Sequence, residues 1–244
     1  QGDFMARFCP LFSGSSGNSI YIGNNDGGIL VDTGMSAKKI GEALFNIGVA
    51  PESLNAVFVT HEHSDHIKGL RVFASKYHIK VYGTNGTLSA LDDMGILNGK
   101  FETEEVSFSG NEAGPLFVTP FHTSHDARES CGYKIDCSDG RKISIATDLG
   151  EMTLENGPYP YSLKKRILGK KGHLSNDACA STAERLVSGG TTRIYLGHLS
   201  RENNMPALAY QTTCSALTMV GAKENSDYIL KVAKPVCDEK AMIL

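Results

Sequence analysis

Three observations predict a layered α/β fold. Apolar runs of strand length recur along the chain, divided by Gly and Asn clusters. Segments with apolar residues at helical spacing fall between them. Polar residues able to bind cations stand directly after the ends of several apolar runs. Strands interrupted by helices, with function placed at strand ends, favour an α/β architecture.

The elements follow in order. Phe8 to Phe12 and Ser19 to Ile22 read as strands around the turn Ser13-Gly14-Ser15-Ser16-Gly17-Asn18. A further turn at Asn24 to Gly28 leads to the buried strand Ile29-Leu30-Val31, which ends at Asp32-Thr33-Gly34. These strands predict a small antiparallel sheet. Ser36 to Ile47 has Ile40, Leu44 and Ile47 on one helical face, with Gly48 placed to cap it. Ala56 to Thr60 is an apolar strand that runs into His61, and a helix is predicted from His66 to Ser75. Lys80 to Tyr82 is a strand, and Thr87 to Met94 a helix. Leu116 to Val118 is a strand leading to His122 and His125. Gly132 to Ile135 and Lys142 to Ala146 form a hairpin that ends at Thr147-Asp148. Asn176 to Val187 is a helix capped by Ser175, and Thr192 to Leu196 a strand ending at Gly197-His198. A helix over Ala207 to Val220 and a strand over Tyr228 to Val232 complete the pattern, with Lys234 to Leu244 on the sheet edge. No internal repeat or low-complexity tract is visible.

Composition bounds the function. Hydrophobic residues make up 41% and charged residues 21%, which argues against disorder. The net charge of −3 excludes a protein that binds nucleic acid over its whole surface, and leaves room for a local basic patch. Six cysteines without a CxxC pair, in a chain long enough to bury its own core, are expected to be free thiols. No run is long and apolar enough to span a membrane, and no signal peptide is visible. The expected setting is the reducing cytoplasm. Gln1 to Phe4 read as a tag remnant, with the native start at Met5.

The chemistry concentrates in Thr60-His61-Glu62-His63-Ser64-Asp65-His66. Three imidazoles and a carboxylate directly after a strand suit zinc, manganese or iron. A loop entering a helix lets His61 and His63 face one ion while Asp65 and His66 face another. Asp148 and His198 also follow apolar strands. A carboxylate at Asp148 can bridge two cations. His122 and His125 both follow a strand, and spacing does not separate them. Asp32 is expected to order neighbouring backbone or a ligand histidine. Ser15 and Asn18 lie on a turn that could cradle an anion, though without a fixed phosphate motif an ordinary hairpin turn is the favoured reading. His173 precedes a helix and is a candidate to contact substrate or assist a leaving group. Lys164, Lys165 and Arg166, followed by Lys170 and Lys171, form a candidate phosphate-contacting patch, or simply a charged helix face.

The segment His61, His63, Asp65, His66 matches the H-x-H-x-D-H motif of the metallo-β-lactamase fold superfamily. Further blocks resemble its bacterial YycJ/WalJ-like subgroup, which is similar to the tRNase Z and phosphodiesterase branches. They include Phe12 to Ser19, Ser124 to Ala127, Ala146 to Gly150, Asn156 to Pro160, Gly172 to Asn176 and Gly197 to Asn204. The resemblance covers most of residues 8 to 210. It implies a single domain over residues 5–244, a four-layer αββα sandwich, and two divalent ions. It points to His125 over His122, to Asp148 as the bridge and to His198 as the final ligand. It also implies a nuclease or phosphodiesterase, here a DNA exonuclease in genome maintenance; Asp65, Asp148 and the candidate His173 are the residues expected in the reaction.

One departure stands out. The family carries a helix and a strand ending in a Glu-Ser-Asn-His-Asp block after Asp148-Leu149-Gly150, whereas Glu151 follows Gly150 at once. Omission of residues between 150 and 151 is the reading favoured over a true deletion. Two other activities fit the same ligands. One is hydrolysis of a cyclic phosphodiester, thioester or lactone. The other is redox chemistry at two irons, which lacks a flavodoxin-like second domain. A nucleic-acid binding module with a structural metal is the non-enzymatic alternative. Structural zinc usually takes four protein ligands, while this set leaves positions open.

Overall fold

The N-terminal strands β1 (Arg7–Phe12), β2 (Ser19–Asn24) and β3 (Gly27–Val31) form an antiparallel meander in register Phe8↔Ile22 and Ile22↔Ile29. The computed structural model describes residues 5–149, 174–200 and 204–244. The meander does not stand alone as the small sheet expected. It continues through parallel strands β4 (Leu54–Phe58), β5 (Lys80–Gly83) and β6 (Thr103–Glu105) into a mixed seven-stranded sheet. Parallel neighbours need crossovers, and helices supply them. Helix α1 (Ala37–Asn46) joins β3 to β4, while α2 (Ser64–Ile67) and α3 (Leu70–Tyr77) lie between β4 and β5. Every residue of β3 is buried, as suits a strand covered on both faces.

Helix α1 starts where Ser36 Oγ accepts from Lys39 N (3.4 Å), and Gly48 follows its end with φ +72°. Its Ile40 and Leu44 pack with Leu70, Phe73 and Ala74 in the main core. The single helix expected from His66 to Ser75 is two. Gly69 separates them, with its N–H given to Thr33 O (2.8 Å). A side chain at Gly69 would collide with the Met35 carbonyl oxygen. Helix α4 (Asn85–Asp93) follows β5 and is capped by Thr84.

A second sheet is an antiparallel meander of β7 (Asn111–Ala113), β8 (Leu116–His122), β9 (Cys131–Cys137) and β10 (Lys142–Ile145). Its expected hairpin is present, with Ile135 opposite Ile143. Tyr133 fixes β9 against the first sheet. Its ring meets Phe58 edge-on at 5.3 Å, and its hydroxyl donates to Val59 O (2.6 Å). The closing stretch packs on the sheet edge as expected, where strand β13 (Met242–Ile243) pairs with β1. These two sheets make one compact unit, residues 1–123, 127–147 and 234–244.

The second unit takes in residues 124–126 and 148–233. Helix α5 (Asn176–Ser188) begins at Ser175, whose Oγ accepts from Ala178 N (3.1 Å). Strand β11 (Arg193–Leu196), helix α6 (Pro206–Met219) and strand β12 (Ile229–Val232) form a parallel β-α-β element. Ala183, Ile194, Leu196, Leu217 and Leu230 fill its core. Among the described residues, no helix is long and apolar enough to cross a membrane.

Candidate metal centre

Beyond Phe58 the β4 segment continues as backbone pinned on both sides. Val59 N donates to Tyr82 O (2.8 Å), and Cys131 N donates to Thr60 O (3.0 Å). The loop that follows must then turn sharply, and it presents His61, His63 and Asp65 before His66 enters α2. Two backbone bonds hold the start of α2 in place, and a third ties the two donor segments to each other. Asn18 N donates to Asp65 O (2.8 Å), Thr33 N to His66 O (2.7 Å), and Gly34 N to Asn18 O (2.7 Å). Gly34 is required there, because a side chain would strike the Asp65 carbonyl.

Within this loop the rings converge. His61 Nε2 and His63 Nδ1 lie 3.1 Å apart. That matches the roughly 3.3 Å edge of a tetrahedron with zinc–nitrogen bonds near 2.0–2.1 Å. Asp65 Oδ2 stands 3.6 Å from His66 Nε2. His61 and His66 are buried, and the Asp65 side chain is partly open. Imidazole nitrogens and a carboxylate at such separations fit a divalent cation.

A buried carboxylate supports the loop from below. Asp32 Oδ1 accepts from Thr60 N (2.8 Å), and its Oδ2 contacts Thr60 Oγ1 (2.8 Å) and His66 Nδ1 (2.7 Å). Of the two partners that the sequence left open for Asp32, it bonds both: the neighbouring backbone at Thr60 and the candidate ligand His66. Asn18, expected beside an anion, is buried. Its Nδ2 reaches Asp65 Oδ2 (3.2 Å) and His66 Nε2 (3.2 Å). Ser15 lies exposed on the same turn.

Sequence reasoning missed three supports. Thr60 joins Asp32 to His61, with its Oγ1 2.9 Å from His61 Nδ1. Glu62 Oε1 accepts from Arg128 N (2.7 Å). Tyr133 holds the Val59 carbonyl. Each is a tertiary hydrogen bond. The only local signal was the presence of Thr60 and Glu62 inside the motif.

The second unit holds His125, Asp148 and His198. His125 is buried, and its Nε2 lies 3.5 Å from Asp126 Oδ1. His198 Nε2 lies 3.3 Å from Asp148 Oδ1. His122, the alternative to His125, is exposed and stacks on Phe108 at 4.5 Å. His173, Lys164, Lys165 and Arg166 lie outside the described residues, as does the junction at 150–151.

Comparison with known proteins agrees with this geometry. The sequence profile described as Metallo-beta-lactamase superfamily matches residues 13–198. An exodeoxyribonuclease WalJ from Streptococcus pneumoniae (strain D39) is 34% identical over 91% of this chain and 92% of its own length. An exodeoxyribonuclease YycJ from Bacillus anthracis is 35% identical over 88% of this chain and 90% of its own. The crystal structure of the metallo-beta-lactamase fold protein YhfI from Bacillus subtilis superimposes with a TM-score of 0.66. It covers 95% of this chain and 98% of its own at 17% identity, a likeness of fold. With its mixed α/β sheets and its H-x-H-x-D-H loop, the chain belongs to the metallo-beta-lactamase superfamily.

Proposed function

We propose that this protein is a metal-dependent exodeoxyribonuclease that removes nucleotides from DNA ends during genome maintenance in the cytoplasm. The observation that carries this reading is the similarity to two exodeoxyribonucleases over about nine-tenths of the chain and of their own lengths. The family implies divalent ions, and the described His and Asp side chains suit them. In this reading the two units make one domain over residues 5–244. It holds two ions, Zn²⁺ or Mn²⁺, with Fe also compatible. His61, His63 and His125 would hold the first, Asp65, His66 and His198 the second, and Asp148 would serve both. Such ions, when bound, supply Lewis acidity at phosphorus and activate the attacking water.

The chain's own residues do the rest. Asp32 holds His66 by Nδ1 and leaves Nε2 as the donor. Asn18 braces Asp65 and His66. Ser15, on the exposed turn, meets the DNA backbone. Lys164, Lys165 and Arg166 neutralise phosphates of the bound strand, and His173 contacts the scissile phosphate or the leaving oxygen. The six free thiols accord with the reducing cytoplasm.

The test is digestion of end-labelled single- and double-stranded DNA with Mn²⁺, Mg²⁺, Zn²⁺ or chelator, beside the Asp65→Ala/His66→Ala variant. Metal-dependent release of nucleotides by the native protein alone is the expected result. No cleavage by protein that binds two ions would overturn the reading and favour a small cyclic phosphodiester, thioester or lactone.

A further inference from the structure

We propose that Thr60 is a positioning residue through which one carboxylate, Asp32, fixes the ring tautomer of a ligand in each of the two ion sites. The inference rests on the dinuclear reading above, and proton counting carries it.

Asp32 Oδ2 is an acceptor only, and it meets both Thr60 Oγ1 (2.8 Å) and His66 Nδ1 (2.7 Å). The His66 proton therefore sits on Nδ1, and Nε2 carries the lone pair. Asn18 says the same from the other side. Its Oδ1 accepts from Gly14 N (2.9 Å), which fixes the amide so that Nδ2 donates. That Nδ2, which also reaches Asp65 O and Oδ2, lies 3.2 Å from His66 Nε2, and an amine facing the ring nitrogen favours a lone pair there over a second N–H.

Thr60 has one hydroxyl proton. The carboxylate takes it, so the hydroxyl oxygen is left to accept from His61 Nδ1 at 2.9 Å. His61 is thereby also held in the Nδ1–H form, with Nε2 aimed toward His63 Nδ1. Thr60 N, bonded to Asp32 Oδ1 (2.8 Å), locks the hydroxyl over the carboxylate. His61 belongs to the first proposed ion site and His66 to the second. Asp32 reaches one directly and the other only through Thr60.

The first measurement needs no variant. Long-range ¹H–¹⁵N NMR of the metal-free native protein at pH 8 should show Nδ1–H rings at both His61 and His66. An Nε2–H ring at His61 overturns the proposal. Thr60→Val should release His61 into mixed tautomers and leave His66 unchanged, while Thr60→Ser should keep the native pattern. In calorimetric Zn²⁺ titrations, Thr60→Val should weaken one ion site by about 10–100-fold and leave the other near native. Equal weakening of both sites, or failure of Thr60→Ser to restore the first, overturns the relay. If the protein shows these tautomers and this split but leaves DNA intact, the nuclease reading fails and the relay stands. If fewer than two ions bind, the dinuclear reading fails, and the tautomers alone decide for or against Thr60.

Discussion

Asp32, Asp148 and His198 share a backbone trait that their side-chain chemistry does not require. Their φ angles are +62°, +51° and +53°, in the left-handed region that L-residues seldom occupy. Among the described residues only His78 and Asn225 join them outside glycine. His78 closes α3. The other three follow strand segments, where a reversed φ turns the side chain out of the strand's alternation. Residues held this way concentrate at functional sites. Asp32→Asn should keep the backbone, since Asn also tolerates this region, but it can no longer accept from both Thr60 and His66. The expected loss is about 1–3 kcal/mol in urea melts, with activity down about 10–100-fold. The cysteines give a second test at this scale. Burial pushes the Cys131 thiol up to about 12 and Cys137 up to about 11. Burial, with Cys237 3.3 Å away, raises Cys9 further. Nucleophilic thiolate is scarce at these positions near neutral pH. Iodoacetamide followed by mass spectrometry should leave Cys9 and Cys131 unlabelled until guanidinium unfolds the chain.

Between elements, the informative places are where local pattern and tertiary demand diverge. Apolar runs such as Ile29 to Val31 and Ala56 to Thr60 were legible as strands because burial on both faces leaves an uninterrupted apolar stretch. Strand β6, Thr-Glu-Glu, was not legible, because all three residues are exposed and carry no alternation. The division of α2 from α3 was hidden too, since Gly69 reads as a tolerated helix interior until Thr33 and Met35 come against it. Gly69→Ala should therefore cost far more than a helix propensity gain returns, at least about 3 kcal/mol in a melt. The four candidate ligands of the motif were legible from adjacent residues alone, whereas spacing left His125 and His122 unseparated and only the family resemblance favoured His125. The roles of Thr60 and Asn18 were illegible because their partners lie 28 and 47 residues away.

One contact ties the two sheets of the first unit electrostatically. Asp139, in the β9–β10 turn, accepts from Ala6 N (2.7 Å) just before β1 and from Arg141 Nη1 (2.7 Å). Burial alone would raise its pKa, but the bonds from Ala6 and Arg141 together outweigh it and hold the carboxyl below its ordinary 3.8. A depressed folded-state value means stability present above the unfolded value and lost as pH falls through the folded one. Asp139→Asn should be about 1 kcal/mol less stable than the native protein at pH 7. The two should converge in acid, which urea melts at stepped pH would record.

At the scale of the molecule, a net charge of −3 must still admit a polyanion. The proposal assigns that task to Lys164, Lys165 and Arg166. Replacing all three with Ala should raise KM for DNA by about 10-fold or more and flatten its dependence on salt. Turnover of a small diester that lacks a polyanionic strand, such as bis-p-nitrophenyl phosphate, should change little. Loss of both activities together would instead place the patch in the machinery that acts on phosphorus.

The order of the seven-stranded sheet has a consequence in time. From β1 to β6 every strand lies beside its predecessor in the chain, and only β13 is out of turn. A growing polypeptide can thus add one strand after another as each leaves the ribosome, and the Thr60 to His66 loop takes shape early. The β1 edge cannot. Its Arg7 and Phe8 wait for Ile243 and Met242, so every strand from β2 to β12 is synthesised while that edge lies uncovered. During translation this is where a second nascent chain would pair by mistake, and where a chaperone would have most to protect.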